Sequence, residues 1–265
     1  MVPEAPLRSD GRFLSRDQIA AYAADGFIVL PGLFDAAEVA DVAEEAAALD
    51  AANSLVRADN LRCRFRRHRE SGCQLLDAVD PIVDLLPAVA RLARSDRMLV
   101  VLEQLLGERV HLFKDKLILK PPGAGGYATH QDFIAWPRFP RSFTTVAVAI
   151  DAASVENGCI EIFRGYHHGG ALSPSDGDYH DLPDHLFDAS RAVKLELRPG
   201  DAAVFGCFVP HRSAPNRSSA PRRHLYLSYN RAGDGGDLRE SHYRDFHAWL
   251  RRKYAARGKV DLLFC

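Results

Sequence analysis

Apolar spacing divides the chain into a helical first part, a strand-rich middle and a final amphipathic stretch. Ser15 and Gln18 stand at capping-box spacing before an Ala-rich run, and Asp25-Gly26 breaks that run ahead of the apolar residues at 27–30, predicting helix, tight turn and strand. Asp35 and Glu38 repeat the cap signal, and Val39, Val42 and Ala46 keep helical spacing to about residue 50. Between positions 55 and 72 six arginines (Arg57, Arg62, Arg64, Arg66, Arg67 and Arg69) follow no clear period, which predicts an irregular segment reaching over a site. Asp80-Pro81 opens another helical region, interrupted at Pro87, restarted near Ser95 and closed at Leu105, Leu106 and Gly107.

From Val110 the pattern becomes short β-rich runs at 110–119, 143–150, 159–163, 193–197, 202–208 and 224–229, separated by Pro, Gly and Asn. That spacing predicts a mainly β protein whose core is a double-sheet jelly roll over about 110–230. It is preceded by a helical N-terminal part over about 15–107 and followed by a C-terminal helix over about 240–254, expected to pack on the outside. No repeat, low-complexity stretch or dividing linker interrupts residues 1–265, so one domain is expected.

Composition narrows the function more than the fold. With 47% hydrophobic and 26% charged residues the chain can bury a sizeable core. Its 34 basic and 35 acidic residues leave a formal net charge of -1, so no overall field draws it to nucleic acid or to an anionic membrane, and a small-molecule substrate fits better. Five cysteines (Cys63, Cys73, Cys159, Cys207 and Cys265) form no CxxC pair or framework, which fits a reducing compartment without disulfides. The first residues lack a signal-peptide core, no run reaches the ~18 apolar residues of a membrane span, and Cys265 is misplaced for a prenylation box. A cytoplasmic protein is the expectation; the oligomeric state is left open.

The candidate chemistry lies in His130-Gln131-Asp132, with His211 79 positions beyond the aspartate and Arg222 a further 11 on. In extended chain, residues i and i+2 point to one side, so His130 and Asp132 can meet one metal while Gln131 turns away. The Pro- and Gly-rich loop 121–129 delivers the pair, and His211 follows the run at 202–208. Two histidines and one carboxylate are the facial set that holds non-haem iron(II) with open positions for cosubstrate and O2.

The series Asp25-Gly26-Phe27, Lys120-Pro121-Pro122, His130-Gln131-Asp132, Asn157-Gly158-Cys159, Pro199-Gly200-Asp201 and His211-x-Ser213-x-x-Asn216, ending at Arg222, resembles the phytanoyl-CoA dioxygenase family of iron(II)/2-oxoglutarate oxygenases. The resemblance runs from about Ser15 to Tyr229 and implies a double-stranded β-helix (cupin-like jelly roll) flanked by helices. It also implies iron on His130, Asp132 and His211, and 2-oxoglutarate with its distal carboxylate on Arg222, helped by Ser213. A guanidinium can grip a carboxylate with two hydrogen bonds, which fits Arg222, with Arg217 and Arg223 as nearby competitors. Lys116 falls where some members place a residue against the cosubstrate. Where some members set a tryptophan beside 2-oxoglutarate, this chain has Ala147 or Val148. Asn157-Gly158, Asn216 and His167 are expected to be structural.

The implied activity is oxidation of a C–H bond, by hydroxylation, desaturation or ring closure, with release of succinate and CO2. Asp132 disfavours halogenation, because halogenating relatives carry a small residue there. Tyr127, Trp136, Arg138, Arg141 and the segment 55–72 point to an anionic or zwitterionic small molecule such as an amino acid, a phosphonate or a biosynthetic intermediate. The alternatives are a metal enzyme that needs no 2-oxoglutarate, and a non-catalytic binding protein on the same fold. Nucleic-acid demethylation would want a basic groove with interleaved aromatics, which the neutral charge balance does not support.

Overall fold

A computed structural model of the chain describes residues 13–52, 60–256 and 258. Arg57, the residues before Phe13 and Cys265 lie outside the described residues. The first helix, α1 (Arg16–Asp25), carries the full capping box: Ser15 accepts from the Gln18 amide, and the Gln18 side chain accepts from the Ser15 amide. Gly26 ends it with φ 85°, and a Cβ there would lie 2.5 Å from the His167 ring, so both the turn and that close approach require glycine. Strand β1 (Phe27–Leu30) and helix α2 (Ala36–Ala52) follow as predicted, with Asp35 and Glu38 capping reciprocally.

The next segment departs from the prediction. The arginine-rich stretch forms strand β2 (Cys63–Arg67), which pairs with β3 (Gln74–Val79) as a hairpin on the edge of the large sheet. An edge strand can carry a charged residue at nearly every position, so its pattern lacks the alternation that marks a half-buried strand. Asp80-Pro81 lies in a turn. Helix begins only at α3 (Pro87–Ala93), where proline occupies the first helical position, and continues after a break in α4 (Asp96–Leu106).

Two sheets then form the double-stranded β-helix core. The larger has the order β1-β9-β6-β11-β4-β3-β2, where β4 is Val110–Ile118, β6 Thr144–Ala149, β9 Ala202–Gly206 and β11 His224–Arg231. The smaller has the order β5-β10-β7-β8, where β5 is Tyr127–His130, β7 Ile160–Phe163, β8 Ala192–Leu195 and β10 His211–Ser213. Sequence pattern missed β5 and β10, which are four and three residues long and too short to show a period.

Residue size sorts the faces of the large sheet. Val146, Val148, Val204 and Leu225 point outward into the core made with the helices, while Ala147, Ala149 and Ala203 point inward toward Ile160, Ile162 and Leu195 of the small sheet. Each large apolar side chain buried on the helix side contributes about 1.5–3 kcal/mol. The alanines opposite leave space between the sheets. The last helix, α5 (Arg239–Ala255), packs against β4 and buries Tyr243, Phe246 and Leu250 with Leu61 and Trp136. It closes one end of the space between the sheets, a correction to its expected position on the outside, because its apolar stripe covers a cavity mouth.

Candidate active site

His130 ends β5 and His211 opens β10, and the antiparallel register sets them directly opposite each other. Their ring centroids lie 4.2 Å apart. His130 Nδ1 is 2.8 Å from the Ala128 carbonyl and His211 Nδ1 is 3.0 Å from that of Val209. A carbonyl only accepts, so each Nδ1 carries the proton and each Nε2 offers its lone pair. Those Nε2 atoms lie 3.9 and 4.0 Å from Asp132 Oδ1, no more than twice a metal–ligand bond of about 2.1 Å.

Burial and the mutual repulsion of the rings push His130 well below the usual histidine range, and burial lowers His211 too, so both stay neutral as ligation requires. Burial alone would raise the Asp132 carboxyl; His211, Lys116 and His130 outweigh it and hold the group ionised. Thr145 donates to Asp132 Oδ2 at 3.2 Å and sits 3.0 Å from Ser228, which fixes the carboxylate. Gln131 does turn away: it donates to the carbonyls of Gly170 and Phe208 and accepts from the Leu172 amide, tying the loop after β7 beneath the pair. The donor set therefore fits a divalent iron on three protein ligands with open positions.

A cavity of about 310 Å³ opens over this triad, near the lower limit of ~300–1,000 Å³ for ligand pockets, which suits a cosubstrate and a small substrate. Lys116 and Ser213 line it. Arg222 does not; it lies buried behind the wall, its Nη1 3.3 Å from His224 Nδ1 and its Nε without a hydrogen-bond partner among the described residues. Arg223 is committed to Asp151 through two nitrogens, which removes it as a competitor, and Arg217 lies in a separate surface depression. Tyr127 and Trp136 reach the cavity, whereas Arg141 lies over Phe133 and Phe208, and Arg138 lies outside the cavity lining. Of Ala147 and Val148, the two residues expected beside the cosubstrate, Ala147 faces inward, paired with Tyr226, whose ring lines the cavity.

Asn216 proves structural: it donates to the carbonyls of Lys120 and Ala220 and accepts from Ser218. Asn157 likewise bonds Ser154 and Ala152 within its own turn, and His167 Nε2 sits 3.1 Å from the Ala23 carbonyl, far from the triad in role.

Arg64 and Arg66 reach the cavity from β2, as expected of the arginine-rich segment. Three groups escaped sequence reasoning. Lys114 lies beside Lys116 on the inward face of β4, and His242, Phe246, Trp249 and Leu250 enter from α5. The period-2 spacing of the two lysines and the i, i+4, i+7 spacing on α5 were the available signals. The third is Lys120, fully buried beside Ser213.

Charge is unevenly matched around the cavity. Arg66 is paired with Asp77, and Arg212 with Glu161 and Asp184. Arg64 Nη2 and Lys114 both bind Asp80, at 3.1 and 3.2 Å. Arg64 Nη1 is buried with no partner, and Lys116 has no hydrogen bond or ion pair among the described residues, touching only the Tyr226 ring at 5.1 Å. Arg64 and Lys114 thus share one carboxylate. Burial lowers Lys114 to about 8 despite Asp80.

The family model for phytanoyl-CoA dioxygenase matches residues 22–224 of this chain. Methylphosphonate hydroxylase of Gimesia maris is 41% identical over 146 residues, a match spanning 53% of each protein, about half the length of that relative. A 2-aminoethylphosphonate dioxygenase from an uncultured bacterium is 30% identical over 187 residues, 68% of each chain. The crystal structure of EctD from S. alaskensis with 2-oxoglutarate and 5-hydroxyectoine superposes with a TM-score of 0.68 at 25% identity, over 88% of this chain and 84% of that one.

Proposed function

The chain belongs to the phytanoyl-CoA dioxygenase family, and from that premise we propose that it hydroxylates a carbon of a small phosphonate, using iron(II), 2-oxoglutarate and O2. The observation that carries the substrate class is the positive charge beside the triad: Lys116 and Arg64 Nη1 offer donors that no carboxylate among the described residues hydrogen-bonds. A phosphonate brings up to two negative charges and three acceptor oxygens, which match those donors better than a neutral molecule or a single carboxylate. The relatives whose names specify phosphonates support the same class.

Iron bound with 2-oxoglutarate and O2 supplies the oxidising equivalents, releasing succinate and CO2 as a C–H bond becomes C–OH. The protein residues do the rest. His130, Asp132 and His211 hold the metal on one side, and Ser213 with Arg222 behind it receives the distal carboxylate. Lys116 lies opposite Tyr226, one pleat nearer the mouth than the Ile118–His224 pair at the Arg222 end, and with Arg64 it holds the phosphonate head. Phe246 and Trp249 exclude water from the carbon to be oxidised.

Incubation with methylphosphonate, 2-aminoethylphosphonate and their carboxylate counterparts tests this. Succinate is expected to equal the phosphonate consumed, with product mass one oxygen higher and no chlorine incorporated. Equal turnover of the carboxylates, or activity without 2-oxoglutarate, overturns it. Lys116→Met and Arg64→Met are each expected to raise the substrate KM by roughly 10–100-fold, the worth of one hydrogen bond to a charged group at ~1.5–3 kcal/mol. The 2-oxoglutarate requirement should change less than threefold; if it rises instead, Lys116 belongs to the cosubstrate.

A further inference from the structure

We infer that Lys120 is a second, proton-linked anchor for the distal carboxylate of 2-oxoglutarate, acting with Ser213 and Arg222. The inference rests on the cosubstrate reading above. Lys120 is fully buried, and its Nζ donates to Ser213 Oγ at 2.8 Å and to the Gly158 carbonyl at 3.1 Å. Its own carbonyl accepts from the Arg222 amide, so the two cationic residues are stitched together through the backbone. Among the described residues neither Lys120 nor Arg222 bonds a carboxylate. Asp77, the nearest acidic influence on Lys120, is already bonded by Arg66 and Tyr127.

Buried charges are ordinarily paired, and Arg222, a buried cation without a carboxylate, beside an amine that can take up a proton, implies an anion that is part of the working protein. The backbone supports this. Lys120 has φ 35° although it is neither glycine nor asparagine and precedes Pro121, and residues held in such sparsely populated conformations cluster at ligand clamps. Gly158 makes room for the ammonium group: a Cβ there would lie 2.7 Å from Nζ.

The surroundings set the direction of the proton linkage. Burial, then Arg222 and Arg66, lower Lys120 to about 6, while Asp77 and Cys159 oppose them weakly. His224, also facing this cluster, is kept neutral by burial, Arg222 and Lys120. Lys120 is therefore largely neutral at pH 7.5 in the free protein, and a carboxylate arriving beside it favours the ammonium form. Binding takes up a proton, so cosubstrate affinity falls as pH rises above about 6 until the pKa of the bound state is passed.

Anaerobic calorimetry of the iron(II) protein with 2-oxoglutarate, run in two buffers of different ionisation enthalpy, reads the proton count directly. The parent protein is expected to take up close to one proton per 2-oxoglutarate at pH 7.5 and much less at pH 5.5. Lys120→Met is expected to take up none and to bind 2-oxoglutarate at least tenfold more weakly at pH 6.5. Binding by the parent without proton uptake at pH 7.5 overturns the inference even if the variant fails to fold, as does unaltered uptake in a folded variant. No 2-oxoglutarate binding at all would instead overturn the cosubstrate reading.

Discussion

Asp132→Ala is expected to fold as the parent does, to bind iron(II) at least a hundredfold more weakly, and to release no succinate at iron concentrations that saturate the parent. The size of the effect follows from position. Groups that only orient a metal ligand typically cost 10–100-fold in affinity when removed, and Asp132 is the single anionic ligand candidate among three. It also lies at nearly equal distances from the two histidine Nε2 atoms, so its loss opens one full side of the ligand set. Folding is spared because the lost partner, Thr145, keeps its contact with Ser228, and because the two rings beside the carboxylate are neutral. An anaerobic iron titration alongside a melting curve separates the two effects. Iron affinity within tenfold of the parent, in a folded variant, would remove Asp132 from the ligand set.

Much of this site was legible in sequence because its chemistry is carried by residue types in fixed order. His130 and Asp132 share one side of a short extended segment, and their i, i+2 spacing is visible without a structure. Their convergence with His211 is not, since it depends on the β5–β10 register across 80 intervening positions. The helices α1 and α2 could be read from local caps, whereas β2 could not: its arginines belong to an edge strand, two of them reaching the cavity, so the usual hydrophobic alternation is absent. The amphipathic stripe of α5 was plain, but a stripe says only that a surface is covered, not which one. Lys120 stood in a recognisable Lys-Pro-Pro run, yet lysine is so rarely buried that sequence gave no reason to look for it inside.

Arg222→Met is expected to raise the half-saturating concentration of 2-oxoglutarate roughly a hundredfold, the equivalent of about 3 kcal/mol for charge-assisted hydrogen bonds to a carboxylate, while the rate at saturating cosubstrate stays within a few-fold. The methionine fills similar space, and it removes a buried guanidinium whose Nε has no hydrogen-bond partner among the described residues. The variant without cosubstrate should therefore melt no lower than the parent, since an uncompensated buried charge is a cost to the free protein. Added 2-oxoglutarate should raise the melting temperature of the parent far more than that of the variant, because ligand stabilisation depends on concentration relative to Kd. The same change bears on Lys120. Arg222 is the nearest like charge holding that ammonium down, so its loss raises the Lys120 pKa and shrinks the proton uptake that accompanies cosubstrate binding at pH 7.5. An unchanged 2-oxoglutarate requirement would remove Arg222 from the pocket. A raised requirement with undiminished proton uptake would keep Arg222 as an anchor and separate it from the proton that Lys120 carries.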